Sequence, residues 1–479
     1  MGLRSWGARL STYSPNSVAA GLAGLFLSSL FCLGAAPPHP YRTAAGVTKV
    51  LELGPHAGDC ERCHTAHGEG AEPERFALLG PDDNSLCDKC HTNPWSGGSY
   101  PGTWLYVGSA HGASSGTIWP GPDPPPRTEA GAAGKCVNCH DPHGWQDAAG
   151  LVPSLAVARE EKLCLACHSG SPASTNIAAD LNKAFRHPVT TYSGRHQGPA
   201  EALPSDFAAA PMNNRHSECA DCHNPHVADS DPPGAPPAPA LSKANLGVSR
   251  VLVQNGGAGA PPAFTFAAGS DTVSTPLAEY QLCFKCHSSW TTQPTGQTDL
   301  ALELNPNNAS YHPVEAVGRD PSIHPAAFVP GWSAMSLTRC GDCHGSDFAG
   351  APRGPHGSSY RYILKQPYEA SSRTRAMTSD EICFACHVYQ VYADPNAFPA
   401  VHGYSRFAEP GSTKGHAGHV GGESVPCYAC HATHGSADRS HLLVTGRSPG
   451  IISFTETATG GTCQPTCHGP QSYTVSYAR

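Results

Sequence analysis

One short pattern, C-x-x-C-H, recurs along the chain and constrains its fold more than any other feature of the sequence. Nine copies have two residues between their cysteines, and a tenth copy has three, Gln464-Pro465-Thr466. With two cysteines each, the ten motifs use all but one of the 21 cysteines. The motif cysteines are Cys60, Cys63, Cys87, Cys90, Cys136, Cys139, Cys164, Cys167, Cys219, Cys222, Cys283, Cys286, Cys340, Cys343, Cys383, Cys386, Cys427, Cys430, Cys463 and Cys467. The histidines that follow them are His64, His91, His140, His168, His223, His287, His344, His387, His431 and His468.

This spacing is the attachment pattern of c-type haem. Two thiols form thioethers with the haem vinyl groups, and the adjacent histidine binds the iron from one side. Zinc sites also use C-x-x-C pairs, but they do not require a histidine after every second cysteine. Disulfides would suit an exported protein, yet they give no reason for the adjacent histidines. The motifs therefore predict ten covalently bound haem c groups, with zinc and disulfides as the alternatives.

The composition agrees with a haem-built core. The 479 residues include 51 glycines and 46 prolines, and only 8% are aromatic, a composition that favours irregular structure. We expect a mostly irregular, coil-rich fold with short α-helices at the haem motifs and one small β-hairpin around 247–268. Longer helices are predicted at Leu155–Ala166 and Thr378–Ala385. Packed haems would supply the core, so the chain without haem should be largely unfolded.

The N-terminus has the pattern of an export signal over residues 1–36. Arg4 and Arg9 precede an apolar run, Val18–Leu33, and small residues at 34–36 provide a cleavage site. An uncleaved anchor is the alternative, because Val18–Ala36 is just long enough to span a bilayer. A lipid anchor on the remaining cysteine, Cys32, is a weaker alternative, because Phe31 precedes it where a small residue is expected. After processing we expect no membrane-spanning segment and a periplasmic or extracellular, cell-surface location.

The motifs fall into pairs that define five modules. First members carry a trailing histidine, and second members are preceded by an apolar residue such as Leu163 or Leu282. The predicted modules are haem pair 1 at 54–115, pair 2 at 130–200, pair 3 at 212–318, pair 4 at 321–410 and pair 5 at 411–479.

These features resemble the doubled C-x-x-C-H family of multihaem c-type cytochromes. The resemblance covers about residues 54–470 and rests on the C-H-x-P-H-G trailer, the L-C-x-x-C-H partner, and the phrases EYQLCFKCH, SYHPV and GPHGSSY. It implies exported electron carriers with a series of bis-histidine haems, and some related proteins polymerise into conductive filaments. The tenth motif departs from the pattern, because it has an extra residue and Thr462 in place of the apolar leader.

The remaining histidines are candidates for the second iron ligand. His64 and His67 are three residues apart, so on a helical turn they would share a face, and His67 should bind a neighbouring haem rather than its own. Ten of the 27 histidines belong to motifs, which leaves more than enough to close every iron. The predicted distal ligands are His56, His67, His111, His143, His187, His216, His226, His312, His356, His402, His419 and His434. Weaker candidates are His39, His196, His324, His416 and His441.

Three functions fit this pattern. The first is electron transfer along ten haems, from a periplasmic donor to other redox proteins or extracellular acceptors. The second is a multihaem reductase for nitrite, hydroxylamine or a sulfur oxyanion; its open iron would be the tenth, because no histidine follows His468. The third is a homo-polymer in which His39 reaches the last haem of the next subunit. The net charge of −8 argues against a nucleic-acid partner.

Overall fold

The structure is a computed structural model, and it describes the parts of the chain that carry most of the motifs. The described residues are 63–64, 78–79, 84–91, 106, 108–114, 136–142, 146–147, 150–152, 156, 158–190, 216–234, 236–269, 277–293, 296–368, 377–408, 415–475 and 477. The predicted export signal lies outside them, as do Cys32, His39, His56, Cys60, His67, His143 and His196.

The helices of the described residues are short, and most lie at or next to a haem motif. The α-helices are α1 (Asn84–His91), α2 (Glu160–Cys167), α3 (Ile177–Leu181), α4 (Cys219–Cys222), α5 (Glu279–His287), α6 (Leu300–Glu303), α7 (Cys340–Cys343), α8 (Tyr389–Tyr392) and α9 (Pro399–His402). Single 3₁₀ turns cover Cys136–Asn138, Lys243–Asn245, Pro325–Ala327, Arg361–Ile363, Ile382–Ala385, Cys427–Ala429 and Ser440–Leu442, and a π-turn covers Gly418–Gly422.

Three second-member motifs lie on longer helices than the first-member motifs of the described residues do, whereas the eighth motif has only the 3₁₀ turn Ile382–Ala385. Helices α1, α2 and α5 carry second-member motifs and have 8, 8 and 9 residues. Glutamates in the first turns of α2 and α5 face the positive end of the helix dipole, which favours these helices. First-member motifs have a single turn of 3 or 4 residues, as in α4 and α7.

Two helix predictions were wrong in their extent. The helix expected from Leu155 begins at Glu160, because Ala156 pairs with His140 in an isolated β-bridge and its backbone is therefore extended. The helix expected over 378–385 is reduced to the 3₁₀ turn Ile382–Ala385.

The strands form small antiparallel sheets. They are β1 (Gln146–Asp147), β2 (Gly150–Leu151), β3 (Phe185–Arg186), β4 (Arg250–Gln254), β5 (Ala263–Ala267), β6 (Ser310–Tyr311), β7 (Gly357–Ser358), β8 (Gly435–Ser436), β9 (Ile451–Thr457), β10 (Gly460–Pro465) and β11 (Gln471–Thr474). The pairs are β1 with β2, β3 with β7, β4 with β5 and β6 with β8, and a three-stranded sheet has the order β11-β10-β9. The predicted hairpin near 247–268 is the β4–β5 pair, in which Arg250 lies opposite Ala267.

The tenth motif lies on a strand and not on a helix. Cys463 belongs to β10, which pairs with both β9 and β11. The expectation that every motif sits on a short helix is therefore wrong here. The extra residue between the cysteines and the missing apolar leader are the two sequence features that set this motif apart.

Apolar packing within the described residues is limited to small clusters. One contains Val251 of β4, Phe284 of α5 and Leu304, and another contains Met377 and Phe384. The chain divides into two compact units, Met1–Lys89 with Gly121–Ala158, and Cys90–Pro120 with Arg159–Arg479. Within the described part of the chain, no helix has the length and apolar character needed to cross a membrane.

Candidate functional site

Six motif histidines each face one histidine from elsewhere in the chain. The ring centroids of each pair are 6.0 to 6.5 Å apart, and the interplanar angles run from 18° to 84°. The pairs are His168 with His111, His223 with His356, His287 with His187, His344 with His434, His431 with His416, and His468 with His419.

This separation fits two imidazoles that bind one iron from opposite sides. A metal–nitrogen distance of about 2 Å on each side, plus about 1 Å from each nitrogen to its ring centroid, gives roughly 6 Å between centroids. Aromatic rings in direct contact also span about 4.5 to 7 Å between centroids, but here the same narrow distance recurs in six pairs that each join a motif histidine to a histidine from elsewhere in the chain. The six pairs therefore have the spacing that a shared metal ion requires, and their residues fit bis-histidine haem.

Burial, with smaller electrostatic contributions from His312 and His431, lowers the pKa of a seventh motif histidine, His387, to about 4. His64 and His140 each make an isolated bridge with a nearby leucine or alanine. The candidate partners His56, His67 and His143 lie outside the described residues.

Hydrogen bonds at Nδ1 fix how the distal rings are held. His111, His187 and His312 donate from Nδ1 to the carbonyl oxygens of Pro225, Pro355 and Thr433, at 3.0, 2.7 and 2.6 Å. A ring whose Nδ1 is a donor keeps Nε2 as its free lone pair, which is the atom that a metal would bind.

The distal histidines come in adjacent pairs, which we call platforms. In the first platform, strand β3 leads into His187 and strand β7 follows His356, and the amide of His187 donates to the carbonyl of His356 at 3.3 Å. The second platform repeats this arrangement with β6, β8, His312 and His434, at 2.7 Å.

A third platform is helical. His416 and His419 are three residues apart at the start of the turn that includes Gly418–Gly422, so both rings project from one side of it. The first platform serves the fifth and sixth motifs, and the third serves the ninth and tenth. The second platform faces the seventh motif through His434, and its His312 is the candidate ligand for the eighth.

The motif cysteines connect the pairs of consecutive motifs that the platforms do not connect. The first cysteines of successive motifs form thiol hydrogen bonds in four pairs, namely Cys87 with Cys136, Cys164 with Cys219, Cys283 with Cys340, and Cys383 with Cys427. These contacts raise the pKa of Cys136, Cys219 and Cys283 above the ordinary value, with burial adding to the effect. The thiol contacts therefore join motifs two to three, four to five, six to seven, and eight to nine.

Glutamates at the starts of the longer helices reinforce these contacts. Glu160 of α2 accepts a hydrogen bond from the Ala220 amide of α4 at 2.5 Å. Glu279 of α5 accepts one from the Gly341 amide of α7 at 2.7 Å. Each acid satisfies an amide at the start of the next motif's helix, where amides otherwise have no partner.

Burial keeps the candidate ligands neutral. Burial, with smaller contributions from neighbouring histidines, lowers the pKa of His356 to about 4 and that of His416 to about 3. Burial also lowers the pKa of His187, His223 and His312. A neutral imidazole is the form that binds a metal, so these rings are ready ligands near pH 7.

Three predicted ligands lie in other surroundings. His402 is 1% exposed, and its Nε2 donates to the carbonyl of Asp394 at 2.8 Å. His216 is buried with Nε2 3.5 Å from a carboxylate oxygen of Glu218. His226 lies edge-on to Tyr106. As ligands, His216 and His226 remain predictions. For His402 we now predict a structural role instead, because its Nε2 already donates a hydrogen bond.

His416 is a site residue that sequence reasoning ranked too low. Its ring centroid is 6.0 Å from that of His431. The signal available in the sequence was its spacing of three from His419, the same spacing that had drawn attention to His64 and His67.

The expected helical turn between a motif histidine and its trailing histidine was wrong where it can be seen. The 3₁₀ turn of the ninth motif ends at Ala429, His431 forms a β-bridge with Leu443, and β8 begins directly after His434. The trailing histidine is placed by a strand and not by the motif's own helix.

A surface cavity of about 420 Å³ adjoins the first platform. It is lined by Ala184–Arg186, Pro188 and the turn Tyr362–Ile363. The carbonyl of Tyr362 accepts the Nδ1 hydrogen bond of His344 at 2.7 Å. The cavity thus lies beside strand β3, which leads into His187, and beside Tyr362, which is hydrogen-bonded to His344.

The comparison with protein families agrees with these observations. Residues 129–173, which include the third and fourth motifs, match the model of the doubled CXXCH motif family. No curated protein and no solved structure matches the chain.

Proposed function

We propose that this protein is a multihaem c-type cytochrome of the doubled CXXCH motif family. In this proposal it is an exported electron carrier with ten haems, and each haem iron is bound by two histidines. Haem supplies a one-electron couple when it is bound. The chain's own residues set the order and the spacing of the haems. The six histidine pairs at 6.0 to 6.5 Å are the observation that carries this proposal.

The two kinds of contact support a continuous path. Platforms join the fifth motif to the sixth, the seventh to the eighth, and the ninth to the tenth. Neighbouring first cysteines join the fourth motif to the fifth, the sixth to the seventh, and the eighth to the ninth. Their thiols would be replaced by thioethers when haem is attached, and the closeness of the sulfur atoms would then bring neighbouring haems together. Because the two kinds of contact alternate, each motif from the fourth to the ninth is tied to the next, and the proposed path follows the order of the sequence.

A closed tenth centre favours a carrier over a reductase. A reductase needs one iron with an open position, and the sequence pointed to the motif that ends in His468. His419 lies opposite His468 with ring centroids 6.1 Å apart. We propose that His419 completes this centre.

The location and the partners follow from the chemistry of attachment. We propose export through the signal at residues 1–36 and a periplasmic or extracellular location. His468 and Cys467 are exposed, so the tenth haem is the proposed point of exchange with another redox protein, an extracellular acceptor or a second copy of the chain.

Electron paramagnetic resonance on the ferric holo-protein, with haem counted in the same sample, tests the proposal. We expect ten haems per chain and only low-spin iron. His419→Ala should convert one haem in ten to a high-spin form and leave the haem count unchanged. A high-spin haem in the unmodified protein, or no new high-spin signal in His419→Ala, would contradict the closed tenth centre.

A further inference from the structure

Two of the candidate centres share one architecture and differ in one charged contact. One is formed by His223 and His356, with rings 6.2 Å apart at 19°. The other is formed by His344 and His434, with rings 6.5 Å apart at 18°. In both, the distal histidine directly precedes a short platform strand.

The proximal sides of the two centres are also alike. The Nδ1 atoms of His223 and His344 donate to backbone carbonyls, those of Ala244 at 2.9 Å and Tyr362 at 2.7 Å. The two proximal rings therefore share a hydrogen bond to a neutral carbonyl, and the one difference is an Asn245 amide nitrogen 3.5 Å from the Nδ1 of His223, which is also uncharged.

The distal sides differ in the partner of Nδ1. The Nδ1 of His434 lies 3.0 Å from the Glu303 carboxylate. The Nδ1 of His356 is buried and has no hydrogen-bond partner among the described residues. In the other Nδ1 hydrogen bonds given above, the partner is a neutral carbonyl oxygen.

In the first platform, Asp180 occupies the position that Glu303 occupies in the second, but its carboxylate has different partners. Helix α6 carries Glu303 and packs its carbonyl against Gly435, just as helix α3 packs the carbonyl of Asp180 against Gly357. The side chain of Asp180 is paired with Lys183 at 2.7 Å and also accepts from Ser346 at 2.8 Å. The same helix position therefore supplies a carboxylate to an imidazole in one platform and to an ammonium group in the other.

We infer that Glu303 is a positioning residue that lowers the reduction potential of the centre held by His344 and His434 relative to the centre held by His223 and His356. This inference rests on the proposed bis-histidine function. A carboxylate that accepts the Nδ1 hydrogen makes the imidazole a stronger donor to its metal. A stronger donor stabilises ferric iron over ferrous iron, so the potential falls.

The consequence concerns the two centres that are compared. The centre of the seventh motif would hold an electron less readily than the centre of the fifth motif. During reduction at equilibrium, the fifth would therefore be reduced before the seventh.

Redox titration of the holo-protein, followed by electron paramagnetic resonance, tests this inference. His434→Ala first identifies the low-spin component that belongs to this centre, because that component is lost. Glu303→Gln keeps the size of the side chain and removes its charge. We expect the identified component to move to higher potential in Glu303→Gln while the other components stay in place.

Glu315→Gln is the matched control. Glu315 is a partly buried carboxyl group that accepts a hydrogen bond from the Asn255 amide at 2.7 Å. Burial raises its pKa to about 7, so all variants are titrated at about pH 9, where Glu315 is ionised and its replacement removes a charge without touching a histidine hydrogen bond. An equal shift of the same component in this variant would overturn the inference, as would no shift in Glu303→Gln. Should Glu303→Gln fail to load haem, Glu303→Asp must move the same component in the same direction. A high-spin signal from this centre in the unmodified protein would instead overturn the proposed function.

Discussion

His416 and His402 show how two histidines of similar appearance in the sequence acquire different roles. His416 faces His431 at 6.0 Å. Its ring contacts Tyr392 and Phe407 edge-on, and its Nδ1 is hydrogen-bonded to Ser405. These contacts leave its Nε2 as the ligand atom. In His402 the Nε2 atom is already used, as a donor to a backbone carbonyl.

We predict opposite results when these two histidines are replaced. His416→Ala should produce a high-spin signal from one centre, because the ligand opposite His431 is removed. His402→Ala should leave every centre low-spin and lower the free energy of unfolding by about 1–3 kcal/mol, since it leaves a buried carbonyl without its donor. Electron paramagnetic resonance and thermal unfolding of both variants check this, and a high-spin signal in His402→Ala would contradict it.

The sequence predicts residues well where covalent chemistry dictates their spacing. The two cysteines and the histidine of a motif must lie together along the chain, so they can be read directly. A distal ligand such as His356 reaches His223 across 133 positions, which follows from their numbers in the sequence. The pairing of strands β3 and β7 holds His356 in place beside His187, and strands of two residues leave almost no periodic signal.

At the scale of elements, a glycine holds each strand platform against its helix. A Cβ atom on Gly435 would overlap the carbonyl oxygen of Glu303, and one on Gly357 would overlap that of Asp180. Backbone atoms cannot move aside as a flexible side chain can. The glycine that follows each of these trailing histidines is therefore explained by packing, because a larger residue would not fit against the helix carbonyl.

Gly435→Ala should separate β8 from α6 and weaken the second platform. We expect a loss of about 1–3 kcal/mol in the free energy of unfolding, the usual range for overpacking, and a changed low-spin signal from the centre of His434. Gly257→Ala is the control, because a Cβ there would meet nothing within 4 Å. Equal stability of the two variants in denaturant titration would contradict the prediction.

A second tie between elements is the buried cluster around Lys183. Its ammonium group lies 2.7 Å from Asp180 of α3 and 2.6 Å from Asp347, which follows the seventh motif. The side chain of Asp180 is only 3% exposed. The cluster thus joins residues that are more than 160 positions apart.

Lys183→Met should leave the Asp180 carboxylate buried without its cation. We expect destabilisation of roughly 2–3 kcal/mol, less than the 3–5 kcal/mol of a fully buried pair because Lys183 itself is partly exposed. Lys243→Met, at an exposed pair 3.8 Å from Asp229, should change stability by less than about 0.5 kcal/mol. Chemical denaturation of the two holo-proteins, followed at the haem absorption band, compares them directly.

For the whole molecule, composition predicted the coil-rich architecture because glycine, proline and scarce aromatic residues exclude a large apolar core. The β4–β5 hairpin was predicted because the residues around 247–268 alternate in the way typical of paired strands. In the structure, Val251 pairs with Phe266 and Val253 pairs with Phe264. The sheet β9–β11 was missed, since the tenth motif inside it was read as a helical haem site. The local pattern around Cys463 fits both a haem motif on a helix and a strand, and only its pairing with β9 and β11 distinguishes the two.

The described residues contain too little apolar packing to hold this fold without haem. The larger cluster has only Val251, Phe284, Ala301, Leu304 and Val314 fully buried. The facing histidine rings are about 6 Å apart, the separation that a metal ion between them would require. Filling these gaps with haem is therefore the main source of stability that we propose for the holo-protein.

Chain produced without haem attachment should accordingly lose its tertiary structure. We expect amide hydrogen exchange to be fast throughout the apo-chain, with residual protection confined to the β4–β5 hairpin and α5, where Val251 and Phe284 pack together. The holo-protein should protect the platform strands β3, β6, β7 and β8 as well, because haem ligation would fix the histidines beside them. Exchange followed by mass spectrometry on both forms measures this. Equal protection of the platform strands in the two forms would show that the polypeptide folds by itself and that haem only occupies a site already built.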